Sequence, residues 1–285
     1  MRLCRFRTRD GNIRVGLIRG SESIFDLTAA GVTKLANLLE NRNLQQELEQ
    51  LAHAESEPIA IPDIQLLAPV EEQEVWAAGV TYLRSKKARM EESNFSATAY
   101  DRVYEADRPE LFFKSLPHKV SGPGEPVGIR QDSRWSVPEP ELALVFNSQA
   151  ELIGFTVGND VSSRDIEGEN LLYLPQAKTY RHSCALGPWL QIGSSEQAAR
   201  EWKIKLNIQR EGEEVFSGET SVSQIKRSFD ELRQFLFRSQ SFPHGVILLT
   251  GTGIVPPDHF TLHPGDNVRI EISGVGTLEN PVVAV

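Results

Sequence analysis

The sequence predicts a mixed, β-rich α+β protein, on three observations. Short runs in which apolar and polar residues alternate recur from one end of the chain to the other, bounded by Gly, Pro, Asn or Asp, the pattern of half-buried strands. Helical spacing of apolar residues is confined to a few stretches, notably residues 32–54 and 221–240. A length of 285 residues, with 40% hydrophobic and 24% charged residues, can bury a large core and lies far from the composition of disordered chains.

Residues 1–65 alternate the strand-like pieces RLCRFRT, IRVGLIRG and SIFDLT with one helical stretch, VTKLANLLENRNLQQELEQLAHA, where Leu35, Leu38 and Leu39 fall at helical spacing. No chemical cluster appears there, and Asp26 and His53 read as surface or capping residues. The expectation is a small α/β domain at 1–65, a lid or scaffold, followed by a larger domain at 66–285. The stretch ESEPIAIPDIQLLAPV between them reads as an extended linker, because each Pro disfavours helix before it.

From Trp76 an apolar strand runs to Gly79 and gives way to a charged amphipathic helix, and residues 94–107 read as helix or loop. In RPELFFK, Glu110 and Lys114 flank two Phe residues; Lys114 reads as a snorkelling side chain and Glu110 as its partner or that of Arg108. Lys178 and His182 stand among apolar, Gly and Pro residues. WKIKLNIQREGEEVFSGET alternates as an exposed hairpin, and SVSQIKRSFDELRQFLFRSQ carries an apolar helical stripe of Ile225, Phe229, Leu232, Phe235 and Leu236. The tail holds a buried strand, a Gly/Thr turn and two further strands. In that turn Thr250 and Thr252 flank Gly251, where N–H groups and hydroxyls can hold a carboxylate or simply close the turn.

Composition excludes several classes of function. A net charge of -9 disfavours nucleic acid as a partner. There is no apolar run near membrane-spanning length, and the start MRLCRFRTRDG lacks a signal-peptide core. Cys4 and Cys184 are the only cysteines, which fits a reducing compartment, so a cytoplasmic protein is expected. GVTYLRSKK and GTGIVPP lack the spacings of phosphate-binding loops.

The chemistry is concentrated at WSVPEPELALVFNSQAELIGFTVGNDVSSRD, residues 135–165. In a strand Glu139 and Glu141 share a face while Leu142 and Leu144 take the other. A hairpin through NSQAEL runs GFTVGNDV back antiparallel and brings Asp160 level with the pair. Three carboxylates on one wall raise one another's pKa and call for a cation; an oxygen-only set suits Mg²⁺, Mn²⁺ or Ca²⁺. A solvated strand edge with a surface Asp–Arg pair is the plainer alternative.

The same segment resembles the fumarylacetoacetate hydrolase superfamily, whose metal signature is E-x-E followed by G-x-T-x-x-N-D-x-S-x-R-D. Here these are Glu139-Pro140-Glu141 and GFTVGNDVSSRD with Asp160. TGTGIVPP, Gly265-Asp266 and GVGTLENPV extend the resemblance from about Val75 to Val285. It implies a β-roll C-terminal domain, Mg²⁺ (alternatively Mn²⁺ or Ca²⁺) bound by Glu139, Glu141 and Asp160, a small 2-oxo acid substrate, and a homodimer or homotetramer. VYEADRPELFFK, RDIEGENLLYLPQAKTY and LTGTGIVP are similar to the branch that contains 2-keto-3-deoxy-D-arabinonate dehydratase.

That likeness implies a Mg-dependent hydro-lyase of 2-keto-3-deoxy sugar acids. Lys178 is implied as base and Glu110 as acid, roles that could be exchanged. Thr252 and Gly251 are implied to secure the substrate carboxylate and Tyr82 to line the pocket. The alternative is a hydrolase that cleaves a carbon–carbon bond. Ser85 occupies the place of the hydrolases' general-base His in GVTYLRS, which weighs against it. Arg164–Asp165 reads as a structural pair and His182 as a packed or hydrogen-bonded ring.

Overall fold

A computed structural model describes residues 1–20, 23–52, 58–83 and 102–285. The strands are β1 (Arg2–Arg7), β2 (Ile13–Arg19), β3 (Ser23–Asp26), β4 (Ile59–Ala60), β5 (Gln65–Leu67), β6 (Glu74–Gly79), β7 (Glu110–Ser115), β8 (Val127–Ile129) and β9 (Ser136–Val137). They continue as β10 (Pro140–Phe146), β11 (Leu152–Asp160), β12 (Ser162–Ser163), β13 (Cys184–Ile192), β14 (Lys203–Arg210), β15 (Glu213–Ser221), β16 (Val246–Leu249), β17 (Asn267–Ile272) and β18 (Gly276–Ala284). Helices of the described residues include α1 (Leu35–Leu39), α2 (Leu44–Ala52), α3 (Arg164–Glu169), α4 (Leu174–Lys178), α5 (Glu196–Arg200) and α6 (Phe229–Leu236).

An 11-stranded sheet runs β4-β3-β2-β1-β13-β11-β10-β16-β6-β7, with β5 paired to β1. A second sheet of five strands, β15-β14-β17-β18-β8, packs against it. At the centre, β10 is buried along its whole length, because both of its faces are covered. Leu142, Leu144 and Phe146 enter the core shared with β14, β17 and α6, while Ala143 and Val145 enter the opposite core with Leu35, Leu38 and Leu48 of α1 and α2. Period-2 side-chain placement allows one strand to serve both layers.

The N-terminal strands continue this sheet. Arg2 pairs with Gln191 and Leu3 with Leu190. The expected linker contributes β4 and β5, the latter in register with β1 through Arg5 and Leu67, so it is extended and held in the sheet at those two pieces, while Ile61–Asp63 between them form a 3-10 turn.

Three local expectations need revision or completion. The single helix expected at 32–54 is broken into α1 and α2, because the Asn41 side chain accepts from the Asn43 N–H at 2.8 Å and closes a turn that competes with helix. Ile225 lies before α6, which starts after Ser228; the Ser228 hydroxyl accepts from the Glu231 N–H at 3.0 Å, an N-cap. Ile225 instead bridges to Tyr82. Asp26 is buried and caps a turn by accepting from the Thr28 and Ala29 N–H groups.

The hairpin expected at 203–221 forms as β14 and β15, turned by Glu211 and Gly212, both at positive φ, as tight hairpin turns require. The charged helix expected after Gly79, together with Ser85, lies outside the described residues apart from its first positions, as does His53. Of 94–107, residues 102–105 are helical.

Candidate metal centre and active site

The site begins with hairpin register. In β10 and β11, Pro140 faces Asn159 and Glu141 faces Gly158. One step further out, the Asp160 N–H donates to the Glu139 carbonyl at 3.0 Å, so Glu139 and Asp160 stand side by side. Pro140 loses no ladder bond as the first residue of its strand. The carboxylate oxygens of Glu139, Glu141 and Asp160 lie within 4.8 Å of one another, and the residues are only 4%, 1% and 1% exposed.

Buried acids at this spacing must be compensated, and three cations converge on them. Lys178 Nζ lies 2.9 Å from Glu139 Oε2 and 3.0 Å from Asp160 Oδ2, and donates to Ser162 Oγ at 2.6 Å. Lys114, at 0% exposure, reaches Asp160 Oδ1 at 2.5 Å and donates to the carbonyls of Val161 (3.0 Å) and Lys178 (2.5 Å). Arg164 Nη2 sits 2.9 Å from Glu139 Oε1.

Glu141 receives the Gly251 N–H at 2.6 Å. Burial pushes the Glu141 carboxyl well above its usual range, and the charges of Asp160 and Glu139 push it further. Lys178 and the Gly251 N–H act in the opposite direction.

The donor set fits a hard divalent ion. It is made of carboxylate oxygens alone, and the inner cavity it lines has a volume of about 20 Å³, room for a single water-sized sphere. A buried acidic triad of this kind can bind a metal.

Glu110, Lys178, Gly251 and Thr252 line the same cavity. Glu110 pairs with Gly79 across β6 and β7. A Cβ at position 79 would lie 2.1 Å from Glu110 Oε2 and 2.6 Å from its Cδ, so only glycine leaves the carboxyl its place. Gly251 has φ of +87°, and a Cβ there would lie 2.2 Å from Thr81 Oγ1; its N–H is directed at Glu141. The Thr252 hydroxyl lines the cavity while donating to the Ile254 carbonyl at 3.2 Å. Tyr82 is not among the lining residues. Its ring is in the core against Gly253, where burial raises the phenol's pKa.

Sequence reasoning missed Lys114 and Arg164. Lys114 does not snorkel: it is fully buried, and Glu110, Phe112 and Lys114 share one face of β7 by period 2, a signal that was present in RPELFFK. Arg164 reaches Glu139, whereas Asp165 accepts from the Ser133 hydroxyl at 2.6 Å and the Arg134 N–H at 2.7 Å. His182 is a hydrogen-bonded ring, its Nδ1 lying 3.1 Å from Ser121 Oγ.

With this fold and this buried carboxylate triad, the chain belongs to the fumarylacetoacetate (FAA) hydrolase C-terminal family, whose model matches residues 74–283. Within that family it is similar to a probable 2-keto-3-deoxyxylonate dehydratase of Haloferax volcanii, 46% identical over 226 residues that cover 79% of this chain and 78% of the relative. It is also similar to the 2-dehydro-3-deoxy-D-arabinonate dehydratase of Saccharolobus solfataricus, at 41% over 225 residues, 78% of this chain and 76% of that one. A solved structure of 2-keto-3-deoxy-D-arabinonate dehydratase complexed with magnesium and 2,5-dioxopentanoate superposes with a TM-score of 0.85 at 34% identity, covering 100% of this chain and 99% of the other. No described helix is long and apolar enough to cross a membrane.

Proposed function

We propose that the protein is a Mg-dependent hydro-lyase that removes water from 2-keto-3-deoxy sugar acids, such as 2-keto-3-deoxy-D-arabinonate, to give 2,5-dioxopentanoate. The observation that carries this reading is the convergence of Glu139, Glu141 and Asp160 on one ion-sized void, with Lys178 and Glu110 on its rim. The likeness to dehydratases at 46% and 41% identity supports it.

Glu139, Glu141 and Asp160 would hold the ion. Bound there, a divalent cation supplies a Lewis acid toward the carboxylate and C2 oxygen of a 2-oxo acid, which acidifies the C3 protons. The residues of the chain do the rest. Lys178, its amine held by Glu139, Asp160 and Ser162, takes a proton from C3. Glu110 protonates the C4 hydroxyl, which leaves as water, and tautomerisation of the enols completes the product. Thr252, with Gly251, secures the substrate carboxylate, and the surrounding core excludes bulk water. Tyr82, in the core behind the cavity, backs the turn that carries Gly251.

Residues 66–285 make up the catalytic domain in this reading, and residues 1–65 a scaffold that extends its sheet. The enzyme is a cytoplasmic homodimer or homotetramer acting in pentose and sugar acid catabolism; sedimentation measures the assembly. Incubation with 2-keto-3-deoxy aldonates of five and six carbons, each with Mg²⁺, Mn²⁺, Ca²⁺ or EDTA, tests the reaction. A product lighter than its substrate by one water, formed only with the ion, is expected. Two carbon fragments would identify a hydrolase instead, and no turnover of any member would overturn the reading.

A further inference from the structure

Beside the void at the triad lies a larger cleft of about 380 Å³, and Glu110 and Glu167 line both. Val103, Pro109, Glu110 and Leu111, from one stretch of chain, form a wall of that cleft. A 2-oxo acid seated with C1 and C2 at the triad directs its distal carbons along this wall.

The wall is held by its backbone. Residues 102–105 form one helical turn, whose last carbonyls need donors from elsewhere. Arg227, 6% exposed, supplies them: Nη2 donates to the Val103 carbonyl at 3.2 Å and the Ala106 carbonyl at 2.7 Å, and Nη1 to the Asp107 carbonyl at 3.3 Å and to Glu231. The planar guanidinium fork can serve several acceptors at once. Lys226 Nζ adds a bond to the Tyr104 carbonyl at 2.6 Å and a pair with Glu105 at 2.9 Å.

The same two residues are tied to the other side of the site. The Lys226 N–H donates to the Thr81 carbonyl at 3.0 Å, the Thr81 hydroxyl donates to the Thr250 carbonyl at 2.6 Å, and the next N–H, of Gly251, donates to Glu141. Arg200 holds the carbonyls of Ile225 and Arg227, each at 2.7 Å. Residues 226–227 thus join the cleft wall to the turn beside the metal ligands.

We propose that Arg227 is a positioning residue for the reaction: through the carbonyls of Val103, Ala106 and Asp107 it fixes the cleft wall, and Glu110 within it, at a set distance from the triad. This rests on the reading of the site given above and deepens it.

The test compares wild type, Arg227→Met and Arg227→Lys in saturating Mg²⁺, with 2-keto-3-deoxy pentonate as substrate and pyruvate and 2-oxopentanoate as competitors. In Arg227→Met the kcat/KM of the pentonate is expected to fall about tenfold or more, the effect of a small displacement of reacting groups. Inhibition by 2-oxopentanoate, whose C4 and C5 extend along the wall, should weaken. Pyruvate, which carries only the chelating end, and Mg²⁺ itself, measured by calorimetry, should bind as they do to the wild type. Arg227→Lys keeps the charge and some of the donors and should recover part of the loss.

An unchanged pentonate kcat/KM in Arg227→Met overturns the proposal, and so does a loss of pyruvate and Mg²⁺ binding as large as that of the substrate. Should Arg227→Met fail to fold, Lys226→Met, at a side chain 38% exposed, decides: the same pattern with a fall of about threefold is expected, and no change overturns the proposal. Absence of Mg-dependent pyruvate competition in the wild type overturns the reading of the site itself and this proposal with it.

Discussion

Replacing Lys114 by Met removes a charge and little volume at a position with 0% exposure. Two carbonyls, of Val161 and Lys178, lose their donor, and Asp160 Oδ1 loses its ion-pair partner. Breaking a buried ion pair from one side costs about 3–5 kcal/mol, because the surviving charge stays buried. Asp160 keeps Lys178 on its other oxygen, which places the expectation at the lower end, about 3 kcal/mol.

For a chain of this length that corresponds to a melting temperature lower by roughly 6 °C. The variant site also carries one positive charge fewer and attracts a divalent ion more strongly, so Mg²⁺ should raise its melting temperature more than it raises that of the wild type. Thermal melts in EDTA and in millimolar Mg²⁺ measure both effects. A metal-free variant that melts with the wild type refutes the reasoning, and so does an equal response of the two proteins to Mg²⁺.

Three other outcomes are expected. Glu141→Gln keeps an oxygen for the Gly251 N–H, so it should stay folded while losing both stabilisation by Mg²⁺ and nearly all turnover; wild-type activity would remove the proposed site. In EDTA, the Glu141 carboxyl of the folded protein binds its proton more tightly than the usual value of 4.5 allows in the unfolded chain. The folded state therefore holds the extra proton above that pH, and stability should fall as pH rises through the raised pKa; melts against pH should slope downward in wild type and flatten in Glu141→Gln. Gly79→Ala drives a methyl into the Glu110 carboxyl. Its kcat should fall about a hundredfold or more, the loss of a positioned acid, with Mg²⁺ binding unchanged by calorimetry; an unaltered kcat would exclude Glu110 as the proton donor.

The triad was legible because its geometry is local. Strand parity aligns Glu139 with Glu141, and one hairpin returns Asp160 beside them, so alternation and a turn sufficed. The counter-charges were harder to read. Lys114 and Arg164 lie on separate elements, β7 and α3, and meet the acids only through tertiary approach. For Lys114 the two adjacent Phe residues suggested an aliphatic stem on an apolar surface, whereas parity with Glu110 pointed inward. The break at Asn41–Asn43 was hidden because leucine spacing stays helical across it, while a side-chain hydrogen bond decides the backbone. That β1 joins β13 could not be read from either strand, since edge pairing between segments so remote in the chain leaves no local mark.

Burial and the charges of Asp160 and Glu139 make the Glu141 carboxyl hold its proton more tightly than an ordinary carboxylate does. A divalent ion seated among the same oxygens would have to displace that proton, so proton and ion are rivals for one carboxyl, and alkalinity should favour the ion.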